Sequence, residues 1–221
     1  MIPLGTLASA RVAGGAPVPP EYLGISSKDT KETTSTFAGR AFGDAAAERV
    51  LIAVITHNAT DSSTVSSATI GGVAATIDAQ TADKGTAVLR AEVPTGTSGD
   101  VVVTYSNNQA GPGRTCALYR LEGTVTVAST GTSLSTPGGA CALSDSGDWY
   151  VAGSGSFLTS SGAYSWTNAT EDYDTVVGAS FFPSAVSGAS DVGTGASVTV
   201  TGTCSPTPGQ MYTVAAAYNI A

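Results

Sequence analysis

The chain has 221 residues, of which 42% are hydrophobic and only 12% charged, with a formal net charge of −8. That apolar share suffices for a packed core and excludes a highly charged, disordered chain. All nine Lys and Arg lie between Arg11 and Arg120, and beyond Leu121 only acids remain (Glu122, Asp145, Asp148, Glu171, Asp172, Asp174 and Asp191), so neither nucleic acid nor an anionic membrane is expected as a partner.

No apolar run approaches the length of a membrane span. The start, MIPLGTLASA, has no basic residue ahead of an apolar core and reads poorly as a secretory signal, despite Ala8-Ser9-Ala10. Residues 1–20 hold Gly14-Gly15 and Pro17, Pro19 and Pro20, which suit an extended arm rather than a domain element. Ile2, Leu4, Leu7 and Val12 are its candidate anchors for a partner.

From Tyr22 the pattern is that of strands and turns. Tyr22–Ser27 and Thr33–Phe37 read as short strands around a polar turn, and Asp44–Arg49 as one helical turn with Asp44 as its N-cap. Val50–Ile55 is an unbroken apolar run, as expected of a strand covered on both faces. SSATIGG and VAATIDAQ predict a hairpin turning at Gly71-Gly72. AVLRAEVP, VVVTYS and TCALYRLEG follow as three strands separated by Gly/Pro/Asn/Ser turns. After Gly123 come TVTVAST, a Gly/Ser/Pro-rich connection from Gly131 to Gly139, ACALS, WYVAGSGSF and the acidic stretch EDYD (Glu171 to Asp174).

An internal repeat is expected as well. RVLIAVIT (from Arg49) matches WYVAGSGS (from Trp149), AVLRAEVP (from Ala87) matches VVGASFFP (from Val176), and VVVTYS (from Val101) matches VTVTGT (from Val198). RTCALYRLE (from Arg114) then falls on MYTVAAAYN (from Met211). The expected fold is all-β: a β-sandwich of jelly-roll type over residues 21–221, from two pseudo-repeated halves, about 22–123 and 124–221, packing as the two sheets of one domain.

Chemical motifs are sparse. His57 is the only histidine; Asp61, Ser62 and Ser63 lie near it, but no G-x-S-x-G elbow frames a nucleophile, and a loop histidine is expected. Glu171, Asp172 and Asp174, with Trp166 and Tyr173 nearby, have the residue types of a glycosidase carboxylate pair, although a solvated acidic loop accounts for them more simply. No cofactor is expected; a structural calcium ion at Asp172/Asp174, or at Asp145/Asp148, stays open, without the spacing of an EF-hand loop. Of Cys116, Cys141 and Cys204, the first reads as a buried strand residue, and a Cys141–Cys204 bridge stays open.

The phrases TIGGVAAT (Thr69–Thr76), AEVPTGTSGDVVVTYS (Ala91–Ser106), ALYRLEG (Ala117–Gly123) and TNATEDYD (Thr167–Asp174), after a Pro/Gly-rich start, form a series. It resembles small β-rich virion structural proteins of tailed bacteriophages and gene-transfer-agent-like particles, from about Thr33 onward. The resemblance carries no catalytic residue. It implies a non-enzymatic virion surface component, a head decoration or head-spike protein or a piece of the tail tip, assembled in the bacterial cytoplasm. The partners expected with it are the major capsid protein or another virion protein and further copies of the chain. The competing reading is a carbohydrate-binding sandwich of a tail or fibre, since sandwiches host many unrelated sites.

Overall fold

The computed structural model describes residues 20–30, 32–56, 63–82, 86–107, 113–134, 138–157, 162–177, 184–205 and 208–221. The first half forms β1 (Glu21–Lys28), β2 (Thr34–Ala41), β3 (Arg49–Thr56), β4 (Val65–Ile70), β5 (Val73–Ala74), β6 (Thr76–Gln80), β7 (Ala87–Glu92), β8 (Ser98–Tyr105) and β9 (Arg114–Glu122). The second forms β10 (Val125–Leu134), β11 (Gly138–Leu143), β12 (Trp149–Phe157), β13 (Ala163–Thr167), β14 (Thr170–Val177), β15 (Ser184–Val192), β16 (Val198–Ser205) and β17 (Gln210–Ile220). The architecture is all-β and sandwich-like, with antiparallel pairing between all of these strands.

Each half builds its own pair of sheets. In the first, an inner sheet ordered β1-β9-β3-β7-β6 faces an outer sheet ordered β2-β8-β4-β5; in the second, β10-β17-β12-β15-β14 faces β11-β16-β13. The two orders correspond strand for strand, apart from β5, which has no second-half counterpart. The internal repeat is therefore a property of the fold. The halves are not the two sheets of one sandwich, as the sequence suggested. They are two sandwiches stacked through their inner sheets, because β3 and its neighbours are apolar on both faces.

Three main cores separate the four layers. Leu51, Ala53 and Ile55 of β3 meet Phe37, Ile70, Val101 and Val103 inside the first sandwich. Val50, Ile52 and Val54, on the opposite face of β3, meet Trp149, Val151, Val214, Ala216 and Tyr218 in the seam between sandwiches. Cys141, Leu143, Tyr150, Ala152 and Val200 fill the second sandwich. At about 1.5–3 kcal/mol for each large side chain buried, the seam is a core in its own right. The inner sheets approach so closely that a Cβ on Gly153 of β12 would run into Val54 of β3.

Several expectations need correction. β1 and β2 do not form a hairpin: β1 pairs with β9 and β2 with β8, in different sheets. Asp44–Arg49 is no helical turn. Its only such feature is the Arg49 N–H to Ala46 carbonyl bond, at 3.1 Å, because the preceding carbonyls turn onto the buried Arg49 guanidinium. Nε donates to Val93 O at 2.7 Å, Nη1 to Gly43 O and Asp44 O at 3.1 and 2.8 Å, and Nη2 to Thr95 O and Gly96 O at 2.8 and 2.7 Å. β10 runs on to Leu134, into the expected connection. The counterpart of β7 is β15, not the run from Val176, since β15 takes the place beside β12 that β7 takes beside β3. Leu51 and Ala53 of β3 face the core of their own sandwich, as Tyr150 and Ala152 of β12 do, so the sequence match of Arg49 with Trp149 is out of step by an odd number of residues. The β4–β5 turn falls at Gly71-Gly72 as expected, with φ of +59° and +81°.

Candidate functional site

The seam between the sandwiches holds a cluster of polar side chains, and it begins with two irregular strands. In β6, Ile77 pairs with Leu89 and Ala79 with Val88, so Asp78 is an extra residue bulged out of the ladder. In β14, the equivalent strand, Glu171 pairs with Ala189 and Tyr173 with Gly188, and Asp172 is the extra residue. A bulge re-aims its side chain, and both carboxylates are turned onto the opposite half.

There each accepts a phenol hydroxyl from the last strand of the other sandwich. Tyr119 of β9 donates to Asp172 Oδ2 at 3.0 Å, and Tyr218 of β17 donates to Asp78 Oδ2 at 3.0 Å. Burial pushes both phenols well above the ordinary tyrosine range. The contact is reciprocal, as in an isologous dimer interface, here within one chain.

The two ends differ in charge. Asp78, with 2% side-chain exposure, is ion-paired with Arg90 at 2.9 Å, and Arg90 Nη1 also donates to Val125 O at 3.1 Å. Its hydrogen bond to Asp78 is the main influence raising the Arg90 pKa. Arg90 pairs with Thr76, and the residue paired with the matching Thr170 is Ser190. Asp172 therefore has a hydroxyl where Asp78 has a guanidinium. Burial raises the Asp172 pKa, opposed by hydrogen bonds from Ser190 and Tyr119, with the Asp191 charge adding to the rise. Beside it, Tyr22 stacks on Tyr173 at 5.8 Å and tilts against Tyr119 at 5.4 Å.

The carboxylates singled out in the sequence do not converge. Asp172 points into the seam, while Asp174 Oδ2 accepts the Tyr164 N–H at 2.9 Å. Glu171 is exposed, and its pKa is raised by partial burial and then by Asp174. Asp145 Oδ1 accepts the Gly147 N–H at 2.8 Å, and Asp148 Oδ2 accepts the Ile220 N–H at 2.7 Å. Among the described residues no three His, Cys, Asp or Glu side chains form a metal-holding group. His57, Asp61 and Ser62, and the arm residues Ile2, Leu4, Leu7 and Val12, lie outside the described residues; Ser63 is buried.

All three cysteines are free and buried, so Cys141 and Cys204 are not bridged. In the β11–β16 ladder Cys141 sits opposite Val200, not Cys204. Trp166 is half-buried and gives its Nε1–H to Ser187 Oγ at 2.8 Å. All the tyrosines except half-buried Tyr22 are buried. A shallow groove of about 630 Å³ lies at one end of the first sandwich, lined by Phe42, Gly71, Val73, Pro94, Gly96 and Asp100.

No protein-family model, curated protein or solved structure matches the chain.

The seam residues Asp78, Arg90, Tyr119 and Tyr218 were not marked as a site in the sequence. The one available signal was a lone acid inside TIDAQ, an otherwise neutral strand.

Proposed function

We propose that the chain is a non-enzymatic structural protein on the surface of a virus particle, of the head-decoration or head-spike type, with residues 1–20 as its attachment arm. The observation that carries this reading is the use to which the buried ionisable groups are put. Arg49 ties loops to the first sandwich, and Asp78, Arg90, Tyr119, Asp172 and Tyr218 tie one sandwich to the other. They spend their hydrogen-bonding capacity on holding one rigid body together, as suits a shell component.

Two further features support it. The first and last strands of each half lie side by side in the inner sheet, and early strands alternate between sheets; we read this as a jelly-roll order, a build common in capsid proteins. The body begins at buried Pro20, directly ahead of the edge strand β1. A segment before Pro20 would thus be tethered at a flank of the inner sheet, beside the edge strand β1. The sugar-binding alternative would need an exposed aromatic platform, and no Tyr or Trp among the described residues is fully exposed.

The test is incorporation. Purified particles assembled with the wild-type chain should contain it in many copies. A variant lacking residues 2–20 should fold with an unchanged melting temperature and be missing from particles. Normal incorporation of that variant would move attachment to the sandwich surface. Absence of the wild-type chain from particles, or saturable binding on a glycan array, would overturn the reading.

A further inference from the structure

We infer that β10 is a self-pairing edge, through which two copies of the chain join their inner sheets about a two-fold axis. β10 lies at the end of its sheet and pairs, among the described residues, on one side only, with β17. It is ten residues long, and the sequence has no charged residue from Thr124 to Ser144. Thr126, Val127, Thr130, Thr132 and Leu134 are exposed along it, with Val127 at 37% and Leu134 at 54%. A long, uncharged edge strand is a template for another strand, and soluble proteins ordinarily block such edges with charge, bulges or brevity.

Several other edges of this molecule are blocked in those ways. The twin of β10 in the first half, β1, carries Glu21 and Lys28 at its ends, and Arg40 Nη2 donates to its Gly24 carbonyl at 2.7 Å. β6 is short, bulged and carries Asp78. β14 bears three acids, and the Tyr164 N–H of the short β13 is capped by Asp174. Two edges related by the internal repeat thus share a bulge but differ in charge, β1 carrying Glu21 and Lys28 and β10 none.

The occupant is a second copy of β10. Antiparallel pairing about a two-fold sets a strand against itself, so Thr, Ser and Val face Thr, Ser and Val with no like charges opposed, and such cross-strand pairs are favourable. The bulge at Ala128 leaves the regular stretch Ser129–Leu134 for that pairing. The chain's own N-terminal segment is a poorer candidate. It joins at β1, which packs against β14, whereas β10 packs against β6 on the other flank. This edge gives the multi-copy setting of the proposed function a specific contact, but it is argued independently of any particle.

Sedimentation of the purified full chain over a concentration series tests it. The wild type should dimerise. Thr130→Lys/Thr132→Lys, on exposed positions, should weaken dimerisation at least tenfold with an unchanged melting temperature. Thr199→Lys, on the exposed face of the outer sheet, should not. Leu4→Asp/Leu7→Asp should also dimerise normally. A wild type that stays monomeric, a β10 double-lysine variant that dimerises as well as wild type, or loss of the dimer in the Leu4/Leu7 variant would overturn it. The last outcome would name the N-terminal segment as the occupant. Because no particle is involved, failure here is distinguishable from failure of incorporation.

Discussion

Tyr119 and Asp172 lie 53 residues apart in the chain and meet at 3.0 Å across the seam, while Tyr218 and Asp78, 140 residues apart, make the same contact in the opposite direction. The two sandwiches are thereby stapled at both flanks of one apolar layer. Tyr119→Phe should destabilise the protein by about 1–2 kcal/mol, since a hydrogen bond to a carboxylate is lost and the acceptor stays largely buried. Tyr218→Phe should cost less, because Asp78 keeps Arg90. Chemical denaturation of the two variants checks the order; equal costs would mean that the Arg90 ion pair does not compensate.

Asp172 makes the stability of the seam depend on pH. Its folded pKa is raised above the ordinary aspartate value, chiefly by burial. The folded state thus holds the proton more tightly than the unfolded chain, whose aspartates titrate near about 3.9. Its contribution to stability is full below that value and is lost as pH rises through the folded pKa. Asp172→Asn should therefore stabilise the protein at neutral pH relative to wild type, with the advantage shrinking as pH falls. Melting curves from pH 3 to 8 measure this; an advantage independent of pH would exclude Asp172 as the titrating group.

Arg49 is irreplaceable by lysine. Its guanidinium serves carbonyls from two separate loops, 42–44 and 93–96, and a lysine has three donors on one atom. Arg49→Met should cost about 3 kcal/mol or more, and Arg49→Lys a comparable amount, because several buried carbonyls are left without donors. Urea midpoints of the two variants are the measurement.

At Gly153 the two inner sheets leave no room for a methyl group. Gly153→Ala should destabilise by about 1–3 kcal/mol through overpacking against Val54. The same change in a Val54→Ala background should be nearly neutral. A double-mutant cycle without coupling would place the strain elsewhere.

Cys116 sits at 0% exposure in the core of the first sandwich, and burial pushes its thiol up to about 12. Thiol labelling of native protein at pH 8 should proceed only through unfolding, at a rate that rises with denaturant. Fast labelling without denaturant would contradict its position.

Most strands were legible because their β-branched runs alternate with turn residues, as in VVVTYS and RVLIAVIT. β15 was not. SAVSGASDV is rich in small residues that show no strand preference, yet Ser184 to Ser190 is buried between its sheet neighbours β12 and β14. Its absence sent the repeat match to the neighbouring VVGASFFP. The seam was illegible for a different reason. A bulge is defined by what the partner strand does, so nothing in TIDAQ or EDYD alone reveals that Asp78 and Asp172 stand outside their ladders. The Asp174 cap on Tyr164 depends likewise on a fold not yet formed.

The pairing of β1 with β9, which brings Glu21 opposite Arg120, also governs how quickly the molecule can form. Neither inner sheet is complete until its last strand has returned to its first, so few contacts are local and loop-closure entropy must be met before they form. Refolding from denaturant should accordingly be slow for a chain of this size. During synthesis, the first sandwich can close once Glu122 has emerged. It then offers the apolar face of β3 and β9 as a finished surface on which the second half assembles.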